Sequence, residues 1–247
     1  MTSIDAHDPE EFISSTASFF RTSTGREATD LVIGHILDQV IAGEMIPGER
    51  LNASKISDTL NVSVVPVREA IHFLAGEGVV ELMALKGARI REMDADEVVD
   101  WWHIFEALGG IGFRAAAAAI AQTPALSTHI EQALETIENT QITKSSLEYL
   151  LALNDFHRAA NRIGNKAVID EAIRRLQTMF WLSVLPQYIP FEQYGKVFTA
   201  NYHHIAGALM RGDGESAASI FSHHVAWSSA IILGERPDPD APWSPGP

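Results

Sequence analysis

The sequence predicts a mainly α-helical protein, with an N-terminal winged helix-turn-helix followed by an all-helical antiparallel bundle of about six helices. Between residues 49 and 91, two short amphipathic segments joined by a tight turn are followed by a hairpin pattern. From residue 94 onward, long helical patterns follow one another without strand signals. Because the connections between these helices are short, neighbouring helices should run antiparallel.

Composition and charge indicate a soluble globular protein. The chain of 247 residues is long enough for one large domain or two of ordinary size, and 46% of its residues are hydrophobic and 20% charged. The chain contains no cysteine, which excludes disulfides and thiol chemistry and fits a reducing cytoplasm. The N-terminus is acidic and lacks the order of a signal peptide, and no apolar run approaches the ~20 residues of a membrane span. We therefore expect a cytoplasmic protein with no membrane partner.

Four segments are expected along the chain. Residues 1–25 are rich in Ser, Thr and acidic groups and should form a flexible arm. Residues 26–93 should form the helix-turn-helix domain, and residues 94–234 the helical bundle. Residues 235–247 contain five prolines and should form a disordered tail. The expected helices span residues 28–41 in the first domain, and residues 94–122, 124–140, 145–163, 166–187, 190–211 and 215–234 in the second.

The two short segments of the first domain should bury their apolar faces against each other, because neither is long enough to be stable alone. Asn61 lies between them and tolerates the left-handed backbone of a sharp turn. Ser63 can cap the second segment, and Pro66 lies in its first turn, where a missing N–H is tolerated. The apolar positions with helical spacing are Leu51, Ile56 and Leu60 in the first segment and Val67, Ile71 and Leu74 in the second.

The outward face of the second segment, called the reader helix below, is the predicted contact surface for DNA. If Ile71 points inward, a rotation of about 100° per residue turns Val65, Arg68, Glu69 and His72 outward. A helix held by a partner helix and presenting such groups is typical of the helix-turn-helix reader in the DNA major groove. The basic hairpin tip at Lys86-Gly87 can follow a phosphate backbone or enter the minor groove. The competing interpretation is an ordinary three-helix core with a hairpin.

The net charge of −14 argues against DNA binding at first sight. Between residues 26 and 92, however, seven Lys or Arg stand against ten Asp or Glu, so this part carries only about −3. Basic residues concentrated on one face should make the contacts, and binding should be weak for non-specific DNA and sensitive to salt.

The N-terminal domain resembles the winged helix-turn-helix of the GntR family of bacterial transcription regulators. The family signature S-R-x-P-V-R-E-A reads SVVPVREA at residues 63–70, L-x-x-E-G-L reads LAGEGV at residues 74–79, and the R/K-G wing tip is Lys86-Gly87. Val64 replaces a DNA-contacting Arg of the family, so the operator sequence or the affinity should differ from the family norm. The DNA contacts that the residues and the resemblance together predict are Arg50, Ser54, Lys55, Ser63, Val65, Arg68, His72, Lys86 and Gly87.

The bundle resembles the FCD domain, the ligand-sensing domain of the FadR-like branch of GntR regulators. The matching residues are Phe156-His157, the run Ile205-x-x-Ala208-Leu209-x-x-Gly212-Asp213, and His224. Six helices fit the VanR-like subgroup of that branch.

Histidines on three bundle helices raise the question of a metal site, because converging imidazoles bind divalent metals. Many domains of the resembled class use one Asp and three His. His157 and His224 match that set, but Leu153 and Tyr202 stand where the family has an Asp and a His. Asn154 and His203 could replace them only if their helices were rotated. A divalent metal (Zn, Ni or Mn) on His157 and His224 is therefore disfavoured but remains an alternative.

Neighbouring residues on a helix point about 100° apart, so at least one member of each of the pairs His203-His204 and His223-His224 should lie on the surface.

An organic effector is the expected alternative occupant of the bundle interior. Two histidines and a phenol could form hydrogen bonds with such a molecule, and Leu153 could contact its apolar part. Trp102 stands four residues before Glu106, where the resembled family often has an effector-facing Arg, which disfavours a strongly anionic ligand and favours an aromatic or apolar one. For the aromatic residues Trp101, Trp102, Phe180 and Trp181, plain core packing is the competing interpretation. The predicted effector contacts are Trp102, Glu106, Leu153, Asn154, His157, Tyr202, His203 and His224.

These observations favour a ligand-responsive transcription regulator, a repressor rather than an activator, that binds a two-fold DNA operator as a homodimer. Two alternatives remain at this point. One is a helical metal-binding protein or metalloenzyme that uses the bundle histidines, although the sequence lacks the Glu-x-x-His pairs of di-iron bundles and a recognisable nucleophile. The other is a regulator without an effector, whose interior is filled by side chains.

Overall fold

The computed structural model describes residues 26–41, 43–84, 86–143, 146–173 and 184–238. The chain divides into two compact units, Met1–Glu92 and Met93–Pro247. The predicted fold class is confirmed: a helix-turn-helix with a small antiparallel sheet precedes an all-helical unit.

The first unit consists of three helices and a three-stranded sheet. The helices are α1 (Glu27–Ile41), α2 (Ala53–Leu60) and α3 (Val64–Gly76), and the strands are β1 (Arg50–Leu51), β2 (Val80–Met83) and β3 (Gly87–Ile90). Strand β3 lies in the middle and pairs antiparallel with both neighbours, with Arg89 opposite Arg50 and Ile90 opposite Val80. The hairpin of β2 and β3 forms the wing predicted beside the reader helix, which is α3.

Local signals fix the turn between α2 and α3. The Asn52 side chain caps α2 by accepting a hydrogen bond of 3.0 Å from the backbone N–H of Lys55. Asn61 ends the same helix in the left-handed conformation, with φ of 52°, as the sequence predicted. The buried residues that join α1, α2 and α3 are Val32, Ile36, Leu37, Val40, Ile56, Val67, Ala70, Ile71 and Leu74. One assignment was wrong: Leu51 lies in strand β1 and not on a helical stripe with Ile56.

The second unit is a bundle of long helices. Its helices are α4 (Ala95–Gln122), α5 (Ser127–Thr143), α6 (Ser146–Ile163), α7 (Leu185–Tyr188), α8 (Phe191–Met210) and α9 (Gly214–Ile232), with a 3₁₀ turn at Pro124–Leu126 before α5. Residues 167–173 are also helical. The carboxylates of Asp94 and Asp213 cap α4 and α9 by accepting hydrogen bonds from the backbone N–H groups of Glu97 and Ser216.

The predicted helix over residues 166–187 differs from the structure at its end. Leu185–Tyr188 is a separate short helix with Pro at its start, and Val184 precedes it in a turn. Residues 174–183, including Phe180 and Trp181, lie outside the described residues. Proline explains the new start, because it has no N–H to continue a preceding helix.

Helix α4 packs against α6 and α9 through glycines that let the helices approach closely. A Cβ added at Gly109 would lie 2.6 Å from Cε1 of Phe221, and one added at Gly112 would lie 2.2 Å from Oδ1 of Asn161. These two positions therefore require the absence of a side chain, because real Cβ atoms do not approach other atoms so closely.

The apolar character of α4 qualifies one expectation from the sequence. Among the described residues, α4 is long and apolar enough to cross a membrane by length and composition alone. The core helix of a soluble protein passes the same test, and α4 buries Trp102, Phe105 and Phe113 inside the bundle. Helix α4 is therefore an exception to the expectation that no apolar segment is long enough to span a membrane.

Candidate DNA-binding surface and effector site

The reader helix α3 buries one face and exposes the other as the sequence predicted. Val67, Ile71 and Leu74 are buried, whereas Arg68 and His72 are exposed and Val65 is 64% exposed. Ser63 occupies the N-cap position, but its hydroxyl makes no capping hydrogen bond. The hydroxyl thus does not cap the start of the helix.

Glu69 departs from the predicted outward face. Its carboxylate accepts a hydrogen bond of 3.0 Å from Thr29 Oγ1 and forms an ion pair with Arg26, so it joins α3 to the start of α1. The hydrogen bonds from Arg26 and Thr29 lower the pKa of Glu69. Glu69 therefore supports the position of the reader helix and is not a member of its outward face.

Ion pairs leave a distinct set of basic side chains exposed. Arg26 is engaged by Glu69, and Arg89 donates to Glu81 over 2.7 Å. Within the described residues of the first unit, four other basic side chains are exposed and belong to none of the ion pairs, namely Arg50, Lys55, Arg68 and Lys86. These are the four basic residues predicted to contact DNA, so this unit retains local positive charge despite its acidic composition.

The wing tip is open and exposed. Lys86 and Gly87 are both exposed, and Gly87 has a φ of 84°, in the region that favours glycine. Apart from the chain neighbours of Gly87, no atom of the described residues lies within 4 Å of the position that a Cβ on Gly87 would occupy. Glycine is thus required here by the backbone and leaves room for another molecule. Ser54, on α2, is exposed as well.

In the bundle, two imidazoles, a phenol and an amide form a buried group that we call the interior cluster: His157 on α6, Asn201 and Tyr202 on α8, and His224 on α9. His157 Nε2 lies 2.8 Å from the Tyr202 hydroxyl, and His224 Nδ1 lies 3.0 Å from Asn201 Nδ2. Each of the four residues is at most 1% exposed. Helices α6, α8 and α9 thus bring together side chains separated by up to 67 positions.

Aromatic rings surround the interior cluster. The rings of Phe105, Phe113 and Phe221 lie 4.6, 4.9 and 4.8 Å from that of His157, between centroids. Phe198 packs edge-on against His224 at 4.4 Å. These rings and the burial of the cluster leave little contact with solvent, so its polar atoms need hydrogen-bond partners inside the bundle.

Burial keeps the interior cluster uncharged at neutral pH. Desolvation lowers the pKa of both His157 and His224 to about 3, with the neighbouring imidazole of His224 adding to the effect on His157. Burial also raises the pKa of Tyr202 well above its ordinary value. Both imidazoles and the phenol are therefore neutral hydrogen-bonding groups.

Several buried polar atoms in this region have no hydrogen-bond partner among the described residues. In the interior cluster they are His157 Nδ1, His224 Nε2 and Asn201 Oδ1, and on α6 they include Asn154 Oδ1 and both side-chain polar atoms of Asn161. Leaving a buried polar group unsatisfied costs about 1–3 kcal/mol. A bound polar molecule that supplied hydrogen bonds to these atoms would therefore be stabilised.

The donor set does not fit a metal ion. Within the described part of the chain, no group of three or more His, Cys, Asp or Glu side chains is placed to hold one. His157 and His224 each use one nitrogen in a hydrogen bond, and Leu153 and Tyr202 supply no carboxylate or imidazole. His203, proposed as a substitute ligand and effector contact, is exposed, and its Nε2 lies 2.7 Å from Oε1 of Glu138. The prediction that His203 faces the interior was wrong, because its position lies about 100° around the helix from Tyr202.

The other predicted effector contacts lie partly in the core. Trp102 is fully buried, donates from Nε1 to Ser228 Oγ over 2.6 Å and stacks on Phe105 at 5.2 Å. Leu153 and Asn154 are buried on α6, and Glu106 is half-buried on α4. Trp102 is thus held by core packing and one buried hydrogen bond.

Sequence reasoning missed Asn201 and Ser228, the polar partners of His224 and Trp102. A signal existed for Asn201, since it shares a helical stripe with Phe198 and Ile205 and is a polar residue on an apolar face. For the histidine pairs the expectation is confirmed: His203, His204 and His223 are exposed, and His224 is buried.

A helix-turn-helix with an exposed reader face and a wing, followed by a helical bundle that buries a polar cluster, is the architecture of a two-domain bacterial regulator. The family of bacterial regulatory proteins named gntR matches residues 28–90, and the FCD domain matches residues 103–226, just over half of the chain. The chain belongs to the GntR family of transcription regulators and carries an FCD domain. Because these are families of regulators, the competing interpretation as a metalloenzyme is abandoned.

Two relatives illustrate the sequence similarity. An uncharacterized HTH-type transcriptional regulator of Mycobacterium tuberculosis is 27% identical over 163 residues, which are 64% of this chain and 65% of the relative, just under two thirds of its length. A probable D-xylose utilization operon transcriptional repressor of Paenarthrobacter nicotinovorans is 26% identical over 208 residues, which are 83% of this chain and 87% of the relative.

Solved structures show the same fold. A transcriptional regulator GntR of Rhodococcus sp. RHA1 has a TM-score of 0.71 at 23% identity and covers 86% of this chain and 100% of its own. E. coli McbR/YncC has a TM-score of 0.65 at 20% identity, over 84% of this chain and 98% of its own. At these identities the likeness concerns the fold alone.

Proposed function

We propose that this regulator binds a two-fold DNA operator as a homodimer, acts as a repressor in the cytoplasm, and responds to a small uncharged effector in its bundle. The observation that carries the proposal is the exposed, unpaired Arg68 on the outward face of α3. Around it the exposed basic side chains Arg50, Lys55 and Lys86 supply charge for phosphate contacts.

The homodimer follows from how such readers bind DNA. A single short helix reads only a few base pairs, and specific sites are built from two half-sites about one helical turn apart. Two copies of α3 related by a two-fold axis would match such a site. We propose that the regulator represses transcription, and the similarity to a probable transcriptional repressor of Paenarthrobacter nicotinovorans supports this choice.

The chemistry of the interior cluster supports an uncharged effector. The described polar groups there are two neutral imidazoles, a phenol and amides, and they offer no opposite charge to a carboxylate or phosphate. The surrounding phenylalanine rings favour a partly aromatic or apolar molecule. Such an effector would regulate by binding more tightly to one arrangement of the two readers than to the other.

DNA binding is tested with the full chain and duplexes selected from a random-sequence pool at low salt. We expect a selected two-fold sequence and a complex that contains two copies of the chain per duplex, measured by mass photometry. Failure to enrich any sequence would contradict the proposal, as would a complex with a single copy.

Effector binding is tested by thermal shift with a panel that contains uncharged aromatic compounds, aliphatic carboxylates and divalent metals. The proposal expects uncharged members to raise the melting temperature of the wild type and not that of His224→Phe, which keeps an aromatic ring but removes both imidazole nitrogens. Stabilisation by carboxylates or metals alone would contradict the proposed effector class.

A further inference from the structure

The first turn of the reader helix is apolar. It consists of Val64, Val65, Pro66 and Val67 and carries no charged side chain. Val67 is fully buried in the core of the first unit, whereas Val65 is 64% exposed. The isopropyl group of Val65 therefore points away from the core at the end of the helix that enters the groove in readers of this type.

An exposed isopropyl group at this place has a specific counterpart in DNA. In the major groove thymine alone presents a methyl group, and apolar side chains contact it, while the other base edges present polar atoms. Placing valine against those polar atoms would remove water from them without supplying a hydrogen bond, which is unfavourable. The chemistry of the turn thus favours a thymine.

We propose that Val65 reads the methyl group of a thymine in each operator half-site, beside the base pair contacted by Arg68. The proposal rests on the proposed function, because it assumes that α3 enters the major groove. Val65 and Arg68 are three residues apart on one face, about 4.5 Å along the helix axis. Base pairs are stacked ~3.4 Å apart, so the thymine should lie one or two steps from the base pair of Arg68.

The test replaces single thymines of the selected duplex by deoxyuridine, which removes only the methyl group. With the full-length wild type, we expect one position in each half-site at which uracil weakens binding about fourfold, the change that corresponds to burial of one methyl group. Substitution in both half-sites should weaken binding roughly fifteenfold.

The variant Val65→Ala should bind the thymine duplex more weakly than the wild type, and its preference for thymine over uracil should be smaller, because the shorter side chain loses most of the contact with the methyl group. Val65 is exposed, and alanine favours helix, so this variant is expected to fold. The matched control is Val168→Ala, the same change at an 82% exposed valine of the second unit, which should keep the full preference for thymine.

Three results would overturn the inference. The first is a uracil penalty that is as large in Val65→Ala as in the wild type, and the second is the absence of a penalty at every thymine. The third is a penalty found only more than two base pairs from the position at which Arg68→Ala relaxes base preference. In each of these cases the selected operator still exists, so the proposed function survives. If no sequence is selected at all, both the proposed function and this inference fail.

Discussion

The hydroxyl of Tyr202 lies 2.8 Å from Nε2 of His157 in the bundle interior, and both side chains are almost fully buried. Tyr202→Phe removes the hydroxyl and leaves the imidazole nitrogen without its partner. We expect the free energy of unfolding to fall by about 1–3 kcal/mol, because an unsatisfied buried polar group loses its interaction with water without compensation. Urea unfolding followed by tryptophan fluorescence measures this change.

Tyr194→Phe is the matched control on the same helix. Tyr194 is also fully buried, but its hydroxyl has no hydrogen-bond partner among the described residues. Removing that hydroxyl should leave stability unchanged or raise it. Equal losses in the two variants would show that the Tyr202–His157 contact has no special importance.

The buried histidines should make the protein sensitive to acid. Burial lowers the pKa of His157 and His224 from 6.5 to about 3 in the folded state. Between these values the unfolded state binds more protons, so stability is fully present above about pH 6.5 and falls as the pH decreases toward 3. At pH 5 the loss is roughly 2 kcal/mol for each histidine.

The measurement compares urea unfolding at pH 7.5 and pH 5 for the wild type and for His224→Phe. The variant lacks one of the two titrating imidazoles, so it should lose less stability between these pH values than the wild type does. The same difference in both proteins would mean that His224 is not protonated on unfolding in this range.

Gly109 allows Phe221 and His157 to approach α4. A Cβ at Gly109 would lie 2.6 Å from Phe221 Cε1 and 3.3 Å from His157 Nδ1, so Gly109→Ala should destabilise the bundle by about 1–3 kcal/mol. The control is Gly207→Ala on α8, where the nearest atom would be the flexible end of Arg211 at 3.4 Å. There alanine should stabilise the helix by about 0.5–1 kcal/mol. If both variants lost stability, the cause would be the replacement of a helical glycine in general and not the close approach at Gly109.

The number of exposed, unpaired basic residues predicts the salt dependence of DNA binding. Arg50, Lys55 and Lys86 contact phosphates in our proposal, which gives six contacts for two protomers. The logarithm of the affinity should then fall with the logarithm of the salt concentration with a slope of about −5. Lys55→Ala should make the slope shallower by about 2 for the dimer, whereas a slope near −1 for the wild type would contradict the assigned contacts.

Local signals made the helix-turn-helix and the ends of most bundle helices predictable. Asn61, Asp94 and Asp213 cap helix ends through their own backbone or through hydrogen bonds to residues within one turn. The sequence near each of them therefore suffices to predict where the helix ends or begins. Strand β1 was not predictable, because two residues carry no periodic signal and their pairing with β3 joins positions nearly forty residues apart.

The interior cluster was only partly predictable for a similar reason. The histidines of α6 and α9 were predicted because they match metal-ligand positions of the resembled family, but their hydrogen-bond partners come from α8. Whether His203 or Tyr202 faces inward depends on the rotation of α8, which is set by packing of Phe198, Ile205 and Leu209 against other helices. Glu69 left the predicted outward face because its carboxylate is held by Thr29 on helix α1 and by Arg26 just before that helix, both outside the motif.

In our proposal Arg68 on α3 contacts operator bases. The most direct test is the affinity of Arg68→Ala for the selected duplex and for its single-base variants. We expect at least a tenfold loss of affinity, since a bidentate arginine–guanine contact contributes about 1–3 kcal/mol of discrimination, together with relaxed preference at one position of each half-site. Arg211→Ala, which removes an exposed arginine from the second unit, should bind like the wild type. Unchanged affinity and unchanged base preference in Arg68→Ala would contradict the account.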